Sequence, residues 1–127
     1  MPDGPLVLLS GPMTMTTAAL LRARERVPRC EGAAVVDLAD GEVLVATPGG
    51  PIATAALAVR DLFRAGPEEA GESTAEVIVA AGDRLLLGLR SRRRPGLGLL
   101  LVCHADTLLG LALALARVCL GEIEQEV

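Results

Sequence analysis

The chain has 127 residues, is 51% apolar and carries a formal net charge of -4, with one Phe and neither Tyr nor Trp. That length suits one domain burying about two thirds of its unfolded surface around a core of Leu, Val and Ala. Without stacking aromatics or a cationic balance, the composition argues against nucleic-acid binding by base stacking or phosphate neutralisation.

All twelve basic residues are Arg, with no Lys, and together with the abundant Ala and Gly this points to a high-GC, bacterial genome. Cys30, Cys103 and Cys119 are odd in number, widely spaced and lack a CxxC. They imply neither a disulfide framework nor a zinc site, and are expected to be small buried residues in a reducing, cytoplasmic setting. Asp3 is the only charge before the short apolar patch Leu6 to Leu9, so no basic region of a secretory signal precedes it. Residues 1–15 read as a tail or an added strand, 16–121 as the domain, and 122–127 as an acidic tail.

The first helix is expected from about Thr16 to Val27. Leu20, Ala23 and Val27 lie along one side, Arg22, Arg24, Glu25 and Arg26 face water, and Pro28 ends it. From Gly32 to Ala46, two β-branched runs flank Ala39-Asp40-Gly41, a strong hairpin signal because Gly accepts the positive φ of a tight turn. TPGGP at 47–51 breaks the strand. A second helix follows from Pro51 to Ala65 with an apolar stripe of Ile52, Ala55, Ala56, Val59, Leu62 and Phe63. Glu68 to Ser73 reads as a solvated connection. Three apolar runs then come in quick succession, Glu76 to Ala80, Leu85 to Leu89 and Leu97 to Cys103, and such short spacing permits only an antiparallel meander.

The run from Gly98 to Leu120 is long and apolar enough to suggest a membrane span, but His104 and Asp106 interrupt it. An aspartate near a bilayer centre costs roughly 2.5 to 3.5 kcal/mol. Asp106 has a better use as the N-cap of a helix from Thr107 to Leu120, with Gly121 stopping it. Leu108, Leu111, Leu115, Val118 and Cys119 form its apolar stripe, widened by Leu109, Leu113 and Leu120. Thr107, Gly110, Ala114, Arg117 and Gly121 are left as a narrow outward strip. The element order is thus αββαβββα, and strands this continuously apolar are covered on both faces. The expected fold is α+β, a three-layer α/β/α sandwich around a five-stranded antiparallel sheet.

No catalytic constellation emerges, and no cofactor or metal is implied. Cys103 and His104 are adjacent on a strand and point to opposite faces, so they do not make a nucleophilic dyad. Gly49-Gly50 lacks the pattern of a phosphate loop. The acidic pairs Glu68-Glu69 and Glu122, Glu124, Glu126 are explained by solvation. Arg90, Arg92, Arg93 and Arg94 cluster at a hairpin tip of an otherwise acidic protein, and such guanidinium groups suit docking of a carboxylate or phosphate.

Two local patterns and the element order resemble the Roadblock/dynein light chain family. The hairpin places Gly32, Asp37, Asp40, Gly41 and Ala46 in step with that family, and the last strand-to-helix junction matches at Asp106, Leu109, Gly110 and Leu111. The resemblance implies a non-enzymatic homodimer of the kind that, in bacteria, acts as regulator or scaffold beside small Ras-like GTPases in signalling. It further implies that the second helix packs on its symmetry mate and the third strand extends the sheet across the two-fold axis. Ile52, Ala55, Ala56, Val59, Phe63, Glu76, Val77, Ile78 and Val79 are then the expected dimer residues. A profilin-like or longin-like small-ligand sensor domain is the alternative, and a closed apolar cavity between helix and sheet would favour it.

Overall fold

The computed structural model of the chain describes residues 12–65 and 75–126. Helix α1 (Pro12–Arg26) leads into strands β1 (Cys30–Asp37) and β2 (Val43–Ala46), then helix α2 (Ile52–Ala65). The meander β3 (Glu76–Ala81), β4 (Arg84–Arg90) and β5 (Leu97–His104) follows, and helix α3 (Leu109–Glu126) completes the fold. Every pairing is antiparallel, in the order β2-β1-β5-β4-β3. The element order and the α+β class are as the sequence predicts. The expected connection at Glu68 to Ser73 and the first eleven residues lie outside the described residues.

Side chains alternate along each strand between two cores, which is why the strands read as nearly unbroken apolar sequence. Ala33, Val35, Leu87, Leu89, Leu99, Leu101 and Cys103 face α1 and α3. Ala34, Val36, Leu86, Leu100 and Val102 face α2. Helix α1 starts at Pro12, earlier than the expected Thr16, and a proline suits a first turn whose amides have no helical partner. The β1–β2 connection is built as expected around Gly41, at φ 80°. Asp37 Oδ1 accepts the Ala39 amide, and Asp40 Oδ1 the Glu42 amide, each at 2.8 Å.

Helix α2 lies close on the sheet because β4 has no side chain at Gly88. An ideal Cβ there stands 2.5 Å from Val59 Cγ1 and 3.0 Å from Phe63 Cε2. Phe63, the only aromatic residue, is buried in this contact, a burial that stabilises by roughly 1.5 to 3 kcal/mol.

The C-terminal third departs from the sequence expectation at both ends of its helix. Asp106 is not the cap. Its carboxylate is taken by Arg29, Nε to Oδ1 at 3.1 Å and Nη2 to Oδ2 at 3.0 Å, and lies 2.9 Å from His104 Nδ1. The helix opens instead at Leu109, with the Leu108 carbonyl accepting the Ala112 amide. Gly121 does not stop it. The segment expected as an acidic tail continues the helix through Glu126, held by Arg26 on Glu122 at 2.9 Å and by Glu124 at the β4–β5 tip. An interior glycine disfavours a helix, and these contacts act in the opposite direction.

The buried stripe of α3 matches the expected one only in part: Cys119 is buried and Leu113, Leu115 and Leu120 are half-buried against the core, but the rest is rotated. Ala112, Ala116, Cys119 and Ile123 face the sheet, whereas Leu108 is 70% exposed and Leu111 and Val118 also face outward. α3 shares its sheet face with α1, and small side chains are the ones that let two helices and a sheet approach together. Among the described residues, no helix is long and apolar enough to cross a membrane.

Candidate partner-binding surfaces

The expected dimer residues of α2 separate into two groups. Ala55, Ala56, Val59 and Phe63 are buried against the protomer's own sheet, with Ile52 half-buried beside them. On the flank of α2 that follows from Ala55 through Ala58 to Leu62, Ala58 is half-buried and Leu62 is 39% exposed. Along β3, Val77 is buried in the same core, Val79 is half-buried against it, and Ile78 is exposed on the opposite face. β3 pairs with β4 on one side, and among the described residues nothing pairs with its other edge. An apolar helix flank and an open strand edge therefore lie together.

The arginines of the β4–β5 tip are not one uniform cluster. Arg90 packs over the Phe63 ring, 4.9 Å from its centroid, and donates to the Pro95 carbonyl at 2.7 Å. That makes it a strut between tip and α2. Arg92, Arg93 and Arg94 are exposed. The backbone around them forms a small anion nest that the chain fills itself. Glu124 Oε2 accepts from Ser91 Oγ at 2.8 Å, from the Arg92 amide at 2.7 Å and from the Arg93 amide at 3.3 Å. Arg93 Nη1 donates to the Glu124 carbonyl at 2.9 Å. Partial burial opposes ionisation of Glu124, but the Ser91 hydroxyl and the two amides outweigh it and hold the carboxyl below its usual range.

Sequence reasoning placed the tip but missed this nest. Ser91, whose Oγ also accepts the Arg94 amide at 3.0 Å, carried a local signal as a turn-forming serine. Glu124 carried none, since its partners lie more than thirty residues away. Beside the nest runs an open groove of about 600 Å³ between tip and α3, edged by Glu76, Arg92, Arg117 and Glu124. A smaller cavity of about 150 Å³ is lined by Val35, Ser91, Arg93, Leu97, Ile123 and Glu124.

Cys103 is buried under α1 and α3, while the His104 side chain is 41% exposed and engaged with Asp106, so no thiol–imidazole dyad forms. Asp37, Asp40 and Glu42 bring their carboxylates together at the β1–β2 turn. Two of the three already serve as turn acceptors there.

No protein-family model and no curated protein matches the chain. Its architecture, however, is that of the Roadblock/LC7 domain, as the hairpin and junction patterns imply. Among solved structures it is similar to an MglB in a tetrameric arrangement, at 18% identity and a TM-score of 0.77, covering 98% of this chain and 96% of that one. It is also similar to the gliding protein mglB of Thermus thermophilus, at 20% identity and 0.73, covering 99% and 100%. A Roadblock/LC7 domain from Streptomyces avermitilis follows at 16% and 0.72, covering 86% and 94%. A Schizosaccharomyces pombe profilin shares less of the architecture, with a TM-score of 0.57 at 17% identity over 84% of this chain and 97% of that one.

Proposed function

We propose that the chain is a non-enzymatic, homodimeric Roadblock-type protein of the bacterial cytosol that regulates or scaffolds a small Ras-like GTPase. The observation that carries this reading is the β3 edge, unpaired among the described residues, lying beside the apolar flank of α2, within an architecture shared with solved MglB structures along nearly the whole chain and with a Roadblock/LC7 domain along 86% of it. Pairing β3 with its copy satisfies the edge amides and carbonyls, and brings Leu62, Ala58 and Val79 of the two copies together. In this arrangement Ala55, Ala56, Val59 and Phe63 serve the interface indirectly, by fixing α2 on the sheet. Glu76, Ile78 and Val79 supply the strand edge.

Arg92, Arg93 and Arg94 are the proposed docking point for an acidic face of the GTPase, with Arg90 bracing the tip from behind. The sensor-domain alternative gains no support from the cavities. Neither the cavity of about 150 Å³ nor the groove of about 600 Å³ is closed and apolar, since both open to solvent and carry charged side chains in their linings.

Size-exclusion chromatography with light scattering tests the reading, on the chain alone and with the Ras-like GTPase of its own genome loaded with GDP or a non-hydrolysable GTP analogue. A dimer that co-elutes with one nucleotide state in preference to the other is expected. A monomer indifferent to nucleotide state overturns the proposal.

A further inference from the structure

We propose that Cys30 and Cys103 are a modification site: an oxidisable dithiol that a hydroperoxide converts to an intramolecular disulfide linking β1 to β5. The two residues are direct partners across the β1–β5 ladder. The adjoining pair, Arg29 and His104, shares a backbone hydrogen bond, His104 N–H to Arg29 O at 2.9 Å. Alternation along an antiparallel ladder makes Cys30 and Cys103 the closer, non-hydrogen-bonded kind of pair, with Cα atoms about 4.5 Å apart. That lies within the range of roughly 4.4 to 6.8 Å that a disulfide spans.

They share a face only because β1 carries a bulge. Ala33 and Val35 face α1 and α3, while Ala34 and Val36 face α2. Strict alternation sends residue 30 to the α2 side, away from Cys103. The register shifts between Cys30 and Gly32, so the extra residue turns the Cys30 side chain under α1 and α3, where Cys103 also packs. There the Cys30 thiol donates to the Gly32 carbonyl at 3.3 Å.

The two members differ as a reactive and a resolving thiol should. Cys30 is partly exposed, whereas Cys103 and Cys119 are buried. The neighbouring Cys103 lowers the Cys30 thiol below its ordinary value against the opposing effect of burial, with the Gly32 contact and Arg24 assisting. The adjacent Cys30, and then burial, push the Cys103 thiol upward.

In the reaction the Cys30 thiolate attacks one peroxide oxygen and the O–O bond breaks. The departing hydroxide leaves as water with a proton from solvent, and Cys30 becomes a sulfenic acid. Cys103 then attacks that sulfur, loses its proton, and displaces the hydroxyl as a second water. Overall, two thiols and hydrogen peroxide give one disulfide and two waters, with two electrons passing from sulfur to the peroxide.

The test exposes the purified chain, free of reductant, to hydrogen peroxide and follows it by mass spectrometry. Trypsin leaves the three cysteines on separate peptides, 30–60, 94–117 and 118–127, so the partners in any link are identified directly. The expected result is loss of two hydrogens from the monomer mass and a reducible link between the first two peptides. That link should persist in Cys119→Ser and vanish in Cys30→Ser and Cys103→Ala, with circular dichroism verifying that the variants fold. A link to Cys119, a link between chains, or oxidation of Cys30 to higher acids without any link overturns the assignment.

Discussion

Arg117 of α3 holds Glu76 of the edge strand β3 through two charge-assisted hydrogen bonds, Nε to Oε2 at 2.6 Å and Nη2 to Oε1 at 2.7 Å. The Arg117 guanidinium keeps the Glu76 carboxyl below its usual range. Because the arginine is solvent-exposed, the pair adds little to global stability, but it tethers the open edge to a helix. Arg117→Ala should therefore leave the urea midpoint almost unchanged while amides 77–80 exchange faster with deuterium. Hydrogen-exchange mass spectrometry checks this, and a large shift of the urea midpoint contradicts it.

Gly88 is the point where α2 touches the sheet. In Gly88→Ala the new methyl meets Val59 at 2.5 Å and both Phe63 and Val77 at 3.0 Å, and all three are held in a packed core. Such overpacking costs about 1 to 3 kcal/mol, which urea denaturation monitored by circular dichroism measures directly.

Leu62 is exposed in the protomer and central to the proposed interface. Leu62→Glu should change protomer stability by no more than about 0.5 kcal/mol, as an exposed substitution does. It should also halve the mass seen by light scattering. A folded variant that keeps the dimer mass would place the interface elsewhere.

Glu124 titrates lower folded than unfolded, because the Ser91 hydroxyl and the amides of Arg92 and Arg93 overcome partial burial. The stabilisation it gives is complete above the unfolded glutamate value of about 4.3 and disappears as pH falls through the lower folded value. Glu76 and Asp106, also depressed, act with the same sign. Thermal stability should accordingly fall between pH 5 and pH 3. Glu124→Gln should start lower at pH 7 and show a shallower fall, as differential scanning calorimetry across that range can establish.

The strands, the β1–β2 turn and the second helix were legible because each carries a local signal: an Asp-Gly step, short apolar runs, a proline at a helix start. α3 was legible as an element but not in its rotation. Where nearly every position is apolar, periodicity loses its phase, and choosing the largest side chains for burial picked Leu108, Leu111 and Val118 over Ala112 and Ala116. Asp106 looked like a cap because Arg29, its actual partner, is distant in sequence. The same holds for the anion nest, which joins Ser91 to Glu124, and for the cysteines, whose meeting depends on a bulge that no residue type announces.

The two margins of the sheet are unequal. Among the described residues, β3 offers six residues along a side that nothing pairs, whereas β2 is only four residues long and irregularly paired to β1. Two copies that join at β3 leave a stub at either outer end, too brief to template a third. In the proposed dimer, growth through the sheet is thus self-terminating, and any larger assembly would be built through helices rather than by lengthening the ribbon.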